Sequence, residues 1–379
     1  MSAPHLRPPS SACRVIVGLS GGVDSAVAAL LLKEAGWDVQ GLFMSNWGED
    51  EDTYCTGAQD YQDARAVAAE LSIPLHRVSF AREYRERVFA HFLEEHRLGR
   101  TPNPDVLCNR EIKFGVGLSW ARRLGATHFA TGHYARILDT PDGVGLFKAQ
   151  DAAKDQSYFL TEVPRAELQC TVMPLGDLEK AAVRERARRA GLPVYDKPDS
   201  TGICFIGERP FREFLARYLP KTPGAIESAD GEPLGTHEGL AFYTIGQRAG
   251  LNIGGRHDRP EQPWYVAAKD AARNTLIVVQ GHDHPQLASD GLTSGPWHWL
   301  AAPRAGAFAA GVKVRFRQAD QAARLQPLAD STVRIVFEQP QRALTPGQYA
   351  VAYEGERCLG GAVIERVVPA LARASSAAA

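Results

Sequence analysis

Apolar positions in the first half of the chain alternate between two rhythms. Residues 14–19 form a short β-branched run, and residues 23–35 then repeat apolar side chains at helical spacing until Gly36 closes the segment. The same alternation recurs. Residues 39–44 and 75–80 read as strands, 57–71 and 82–98 as helices, and a helix over 112–124 leads into a strand over 128–131. A last helix begins at Lys180 and is ended by Gly191 and Pro193. Strands and helices in this order predict an α/β unit, a parallel doubly wound sheet with helices on both faces, over residues 1–208.

Beyond it the rhythm changes. One short helix is expected over 210–217, after which glycine and proline become more frequent and short strands are expected over 239–245, 264–269 and 275–279, giving a small mixed domain over 209–280. Alternating segments at 311–316, 331–338 and 348–353 predict a C-terminal β-barrel over 281–379. A chain of 379 residues is long enough to give each unit its own core.

Composition narrows the partners only a little. The formal net charge is −1, so no global basic field announces a polyanion, and a nucleic-acid site must be a local patch. The apolar runs fall well short of the roughly 20 residues that span a bilayer, so no membrane segment is expected. Residues 1–11 lack the apolar stretch of a secretory signal. The six cysteines form no CxxC pair, which argues against a local zinc knuckle; scattered thiols without an export signal point to a reducing, cytoplasmic setting.

Candidate chemistry begins at Gly18-Leu19-Ser20-Gly21-Gly22-Val23-Asp24-Ser25, between the first strand and the first helix. Adjacent glycines let backbone amides turn toward an oxyanion, Ser20 and Ser25 can add hydroxyl donors, and the helix start presents its positive end. The loop lacks the Lys-Ser or Lys-Thr of a Walker motif and the spacing of a dinucleotide fingerprint. It resembles the PP-loop of the ATP pyrophosphatases, which cleave ATP between the α and β phosphates; Asp24 would then help hold Mg²⁺. Two cysteines have distinctive settings. Cys108 follows Pro102 and Pro104, which forbid continuation of the preceding helix and place the thiol on a constrained loop or at the next helix start. Cys204 follows a turn-forming cluster inside a short apolar run. Taken alone, Cys108 reads first as a packed core residue, and Cys204 fits the core as well.

Six segments in sequence order, SGGVDSAV, NPDVLCN, TGHYA, KDQSYFL, DSTGICFIG and YTIGQRAGL, closely resemble the tRNA-specific 2-thiouridylases across nearly the whole chain. The resemblance implies a sulfurtransferase that adenylates the 2-carbonyl oxygen of the wobble uridine in the tRNAs for Lys, Glu and Gln. It implies a persulfide on Cys204, delivered by an upstream sulfur-donor protein, and release of the sulfur by Cys108 through a disulfide with Cys204. Met44 and Gly132 would line the ATP site with residues 18–25, and Asn103, Pro104 and Asp105 would meet the target base. His133 would be an acid or base or merely positional. Lys154, Asp155, Gln156, Arg315, Phe316 and Gln348 would contact tRNA. Without the resemblance, Lys154 to Gln156 read as a solvated loop, and Arg315 with Phe316 as part of a strand face. Within the same family reading, Asp105, Cys108 and Cys204 could instead ligate an iron–sulfur cluster. Two rival readings are a PP-loop ligase acting on a small molecule and a non-catalytic RNA-binding protein that uses the barrel alone.

Overall fold

The computed structural model describes residues 6, 8, 13–47, 57–199, 211–254 and 262–370; Cys204 lies outside them. Strands β1 (Arg14–Gly18), β2 (Asp38–Ser45), β3 (Leu75–Ser79), β4 (His128–Ala130) and β7 (Thr171–Val172) form a parallel sheet in the order β3-β2-β1-β4-β7. Its two faces follow from strand alternation. Val15 and Val17 point into one apolar cluster with Ala26, Val27 and Leu31 of helix Val23–Glu34, while Ile16 between them enters the other with Phe114 and Phe129.

The two long helices expected from periodicity are each assembled from consecutive pieces. Ala81–Tyr84, Arg85–Phe89 and Ala90–Arg97 run on as one rod whose middle piece is of the wider π type. Pro104–Leu107, Cys108–Gly117 and Leu118–Arg123 do the same, so this helix starts eight residues before the expected 112. The earlier start has a local cause: Pro104 occupies the first turn, where its missing N–H costs nothing, and the Asn103 side chain accepts from the Asp105 amide.

The central unit holds a mixed sheet, β10-β11-β8-β9, built from β8 (Gly224–Ser228), β9 (Pro233–His237), β10 (Trp264–Asp270) and β11 (Thr275–Gln280). The strand expected over 239–245 is not formed. Gly239 has φ 146° and opens a tight turn, Leu240–Phe242, whose Phe242 packs inward.

Six described strands close the C-terminal barrel. They are β12 (Ala288–Ser294), β16 (Val333–Arg342), β15 (Gln321–Pro327), β14 (Phe308–Lys313), β17 (Tyr349–Glu354) and β18 (Arg357–Pro369), each bonded to the next, with β18 returning to β12. Short β13 (His298–Trp299) also pairs with β18. A hairpin of the first unit, β5 (Arg136–Thr140) and β6 (Gly143–Phe147), joins the same sheet through Arg357 opposite Phe147. The barrel is therefore continuous with the α/β unit, and Tyr349, Val351 and Tyr353 share one apolar cluster with Ile16, Phe114 and Phe129.

A second joint links the rod ending at Arg97 to the central unit. His96 is buried, its Nδ1–H donates to the Ala241 carbonyl at 3.1 Å, and Lys269 Nζ donates to the Gly99 carbonyl at 2.8 Å. Burial, then the charge of Lys269, lowers the His96 imidazole to about 4. An imidazole depressed on folding contributes stability that is complete above its unfolded value of 6.5 and is lost as pH falls toward its folded value, here at most about 3 kcal/mol. His128, His133, His237 and His298 are shifted the same way. Thermal melts should therefore show falling stability from pH 6.5 to pH 4.5, and His96→Gln should flatten part of that slope. An identical pH dependence in both proteins would refute the assignment to His96.

Candidate active site

The phosphate loop lies at the C-terminal end of β1, beside the sheet order's reversal, where open α/β sheets bind ligands. Gly21 takes φ 77°, and a Cβ there would stand 2.3 Å from the Asp60 carbonyl oxygen. Gly22 caps helix Val23–Glu34 without any side-chain bond, so the amides of the first turn are left for an external acceptor. The side chains divide sharply. Leu19 and Val23 are buried in the core, and the Ser25 hydroxyl is used within the loop, accepting from the Ser20 amide at 3.2 Å and donating to the Gly22 carbonyl at 3.1 Å. Of the two expected hydroxyl donors, only Ser20 is exposed.

Cations that the sequence reading did not place at the loop converge on it. Lys197 Nζ donates to the Gly21 carbonyl at 3.1 Å and to Asp60 at 2.8 Å, and also pairs with Asp63. Lys180 Nζ lies 2.7 and 2.8 Å from the two carboxylate oxygens of Asp24 and 2.7 Å from Asp199. Asp199 also accepts from Lys154 and Arg184, at 2.8 and 2.9 Å. Burial raises the Asp199 carboxyl, but the bonds from Lys154 and Lys180 outweigh it and hold the group at about 2. Arg184 is thus a buttress of this lattice, bonded also to the Tyr195 and Lys197 carbonyls, while Arg188 and Arg189 pair with Glu185 on the same helix. No spacing rule announces these lysines; helix Lys180–Arg189 and the segment after it had to fold back over the loop first.

Gly132 closes the other side. A Cβ on it would lie 2.7 Å from the Ser25 nitrogen and from the Asp24 carbonyl carbon, so the strand end touches the loop backbone directly. The neighbouring His133 is buried, with Nδ1 2.7 Å from Thr131 Oγ1 and Nε2 3.4 Å from Lys113 Nζ. Burial, reinforced by the charge of Lys113, keeps its imidazole well below the ordinary range and hence neutral near pH 7. Tyr134 donates to Asp24 at 2.8 Å. Met44, at the end of β2, reaches positions 3.3 Å from a Cβ on Gly18 and 3.1 Å from one on Gly117, joining the phosphate loop to the Cys108 helix.

Cys108 is the C-cap of the short piece Pro104–Leu107, the fifth residue of the continuous helix and not at its first amides. It is 1% exposed, in an apolar cluster with Trp47, Tyr84, Val88 and Phe89. The segment leading to it is clamped from outside its own domain. Gln348 Nε2 donates to the carbonyls of Thr101 and Pro102 at 2.9 and 3.3 Å, the Thr101 amide donates to the Pro346 carbonyl at 3.0 Å, and the Thr101 and Thr244 hydroxyls are 3.3 Å apart. Behind Cys108, Asn109 donates to the Phe159 carbonyl at 3.0 Å, and Arg110 pairs at 2.7 Å with Glu162, which also accepts from Tyr349 at 3.2 Å.

The residues expected to contact tRNA occupy several settings. Lys154 is held by Asp199 beside the loop. Asp155 is no solvated loop carboxylate: it is buried, accepts from the Ala149 and Ser157 amides, and pairs with Lys313 at 3.2 Å. Gln156 accepts from the Tyr134 amide at 3.0 Å. Arg315 and Phe316 lie on the turn after β14 and not on a strand, because β14 ends at Lys313 and Arg317 takes φ 65°. Arg315 donates to the Ala343 carbonyl at 2.6 Å, and Phe316 packs on Phe159 with ring centroids 4.4 Å apart. Gln348 faces the Thr101 segment. Cys204, expected from the resemblance to carry the persulfide, is outside the described residues; on either side of that segment, Asp199 sits at the phosphate loop and Phe211 packs on Phe92 and His96.

The donors around Asp24 are already engaged. Asp24 Oδ1 already accepts from Tyr134 and Lys180, and Oδ2 accepts from Lys180, so its charge is matched by an ammonium. Among the described residues no group of three or more His, Cys, Asp or Glu side chains converges as a metal set. These residues do not fit a protein-held Mg²⁺, and Asp105 with Cys108 does not by itself complete a cluster site.

Comparison with known proteins agrees with this architecture. Residues 13–208 match the family model described as "tRNA methyl transferase HUP domain", residues 212–280 the "tRNA methyl transferase PRC-barrel domain", and residues 289–364 the "Aminomethyltransferase beta-barrel domain". The fold is accordingly that of the nucleotide-binding HUP class with two further domains. The chain is 54% identical to the tRNA-specific 2-thiouridylase MnmA of Methylobacillus flagellatus, over 93% of this chain and 98% of that protein. It is 55% identical to the protein of the same name from Burkholderia multivorans, over 93% of each. The chain belongs to the tRNA-specific 2-thiouridylase family. Among solved structures, a partial likeness is to the U34-tRNA thiolase NcsA from Methanococcus maripaludis, with 18% identity and TM-score 0.35 over 56% of this chain and 65% of that one.

The clamp on the Cys108 segment makes a direct prediction. Gln348→Ala removes two hydrogen bonds to main-chain carbonyls, and the rate of Cys108 alkylation, followed by mass mapping, should rise by roughly tenfold through easier local opening. An unchanged rate would show that Gln348 does not restrain that segment.

Proposed function

We propose that this chain thiolates carbon 2 of the wobble uridine in the tRNAs for Lys, Glu and Gln, consuming ATP and a persulfide sulfur. The observation that carries the reading is the family relationship, 54% identity over nearly the whole of both chains, joined to an uncapped phosphate loop ringed by Lys180 and Lys197. A methyl transfer, as the descriptions of two matched models would suggest, has no need of a cradle for pyrophosphate. Sulfur-for-oxygen exchange does need one, because the uridine oxygen is a poor leaving group until a nucleotide is attached.

In the first step the uridine 2-oxygen bonds to the α-phosphorus of ATP, and the α–β bridge breaks with its electron pair leaving on pyrophosphate. The first-turn amides and the two lysines take that charge. Magnesium, bound through the phosphates, would supply further neutralisation. In the second step a persulfide on Cys204 attacks carbon 2, and AMP leaves with the former carbonyl oxygen. The Cys108 thiolate then attacks the Cys204 sulfur, leaving sulfur on the base and a disulfide that a thiol reductant must open. Asn103, Pro104 and Asp105 meet the base on this reading, because they begin the helix that carries Cys108. Lys154 and Arg315 offer charge to the tRNA backbone, and an upstream persulfide carrier supplies the sulfur. The whole fits a cytoplasmic enzyme; among the described residues no helix is long and apolar enough to cross a membrane.

Incubation of the protein with tRNA, ATP, Mg²⁺ and a persulfide source should give 2-thiouridine on nucleoside mass analysis, and unmodified uridine would refute the function. Cys204→Ser and Cys108→Ser should each reduce thiolation by roughly 10³-fold or more while tRNA-dependent pyrophosphate release persists. Full thiolation by Cys204→Ser would refute the persulfide assignment, and absence of ATP turnover would favour a binding protein.

A further inference from the structure

Lys113 stands apart from the other cations near the phosphate loop. Lys154, Lys180 and Lys197 are each paired with carboxylates, at 2.8 Å or closer. Among the described residues no carboxylate pairs with Lys113; its hydrogen-bond partner is Nε2 of His133, at 3.4 Å. That ring is buried and neutral, and its other nitrogen is engaged by Thr131. A half-buried ammonium facing an uncharged ring carries an unmatched charge, which is unfavourable until an anion arrives.

The position of this charge indicates which anion. Gly132, adjacent to His133, abuts Asp24 and Ser25 at the first turn of the loop helix. Lys113 itself lies five residues after Cys108 on segment Cys108–Gly117, whose Gly117 touches the same Met44 that touches Gly18. The ammonium thus extends from the helix that begins at the base-binding segment to His133, whose neighbour Gly132 touches the loop that takes pyrophosphate. The phosphoryl group that lies between pyrophosphate and base is the α-phosphoryl.

We propose that Lys113 is a further catalytic residue, engaging the non-bridging oxygens of the α-phosphoryl group, with His133 as its positioning residue. This rests on the adenylation reading above. The ammonium gives up no proton: it donates to the α-phosphoryl oxygens while the bridge to pyrophosphate breaks, and again while the bond from carbon 2 to the AMP oxygen breaks.

The test uses the full chain, a tRNA transcript and the two diastereomers of ATP carrying sulfur on the α-phosphorus. Lys113→Ala should lower kcat for tRNA-dependent AMP formation by roughly 10²–10³-fold, leave KM for tRNA within about twofold, and be partly rescued by Lys113→Arg. The wild type should discriminate between the diastereomers and Lys113→Ala should lose that discrimination, an effect that a merely structural lysine would not produce. Lys113→Gln serves in the same assays if the alanine variant does not fold. Wild-type AMP formation in the variant, an unchanged diastereomer ratio, or a defect confined to KM for tRNA, as a backbone-binding lysine would give, overturns the proposal. Absence of tRNA-dependent AMP from the wild type would instead overturn the adenylation reading.

Discussion

The first turn of helix Val23–Glu34 is left without a side-chain cap, and the surrounding structure keeps it so. A helix start with open amides is a local concentration of positive potential that can be kept only where no side chain folds over it. Glycine at 21 and at 132 meets that condition from two sides, because any Cβ would collide with backbone. The loop lies at the C-terminal end of a parallel sheet, where consecutive loops can deliver charged groups from distant parts of the chain. Lys180 and Lys197 arrive in this way, each balanced by aspartates. Carboxylates such as Asp24 and Asp199 therefore serve first as counter-charges that keep the lysines ordered.

The second organising feature is the dependence of the Cys108 segment on the other two domains. Residues 101–110 are tied to Pro346, Gln348 and Tyr349 by direct bonds or through Glu162, and to Thr244 of the central unit. A thiol that is 1% exposed needs movement of this segment before it can react. The barrel and the central unit hold the bonds that such movement would break. Tertiary connection on this scale is physically cheap, because hairpin β5–β6 already makes the barrel and the α/β unit share one sheet and one apolar cluster. Gln348 and Asp155 illustrate the consequence: residues at positions tied by resemblance to tRNA are here also structural ties within the protein.

Much of the fold follows from local rules. The alternation of β-branched runs with helical spacing in residues 14–131 reflects burial against both faces of a sheet, and Val15, Ile16 and Val17 of β1 each enter the core that their parity requires. The start of the Cys108 helix was also written locally, in Asn103 as cap and Pro104 in the first turn, as was the hairpin turn at Thr140-Pro141-Asp142-Gly143, although periodicity alone overlooked both. The expected strand over 239–245 failed because apolar residues in a short run pack equally well in a tight turn when a glycine opens it.

The Gly-rich turn between β1 and helix Val23–Glu34 and the helix start just before Cys108 were legible in the residue order, because a strand-to-helix glycine turn and a proline in a first helical turn need no distant partner. Which cations face that loop, which residues hold Cys108 buried, and why Lys113 meets a neutral ring were decided only in three dimensions. Lys180 lies 156 residues from Asp24, and Gln348 lies 246 residues from Pro102. Charge pairing and hydrogen bonding act over a few ångströms of space and carry no signature in sequence separation, so the chain had to fold before those contacts existed.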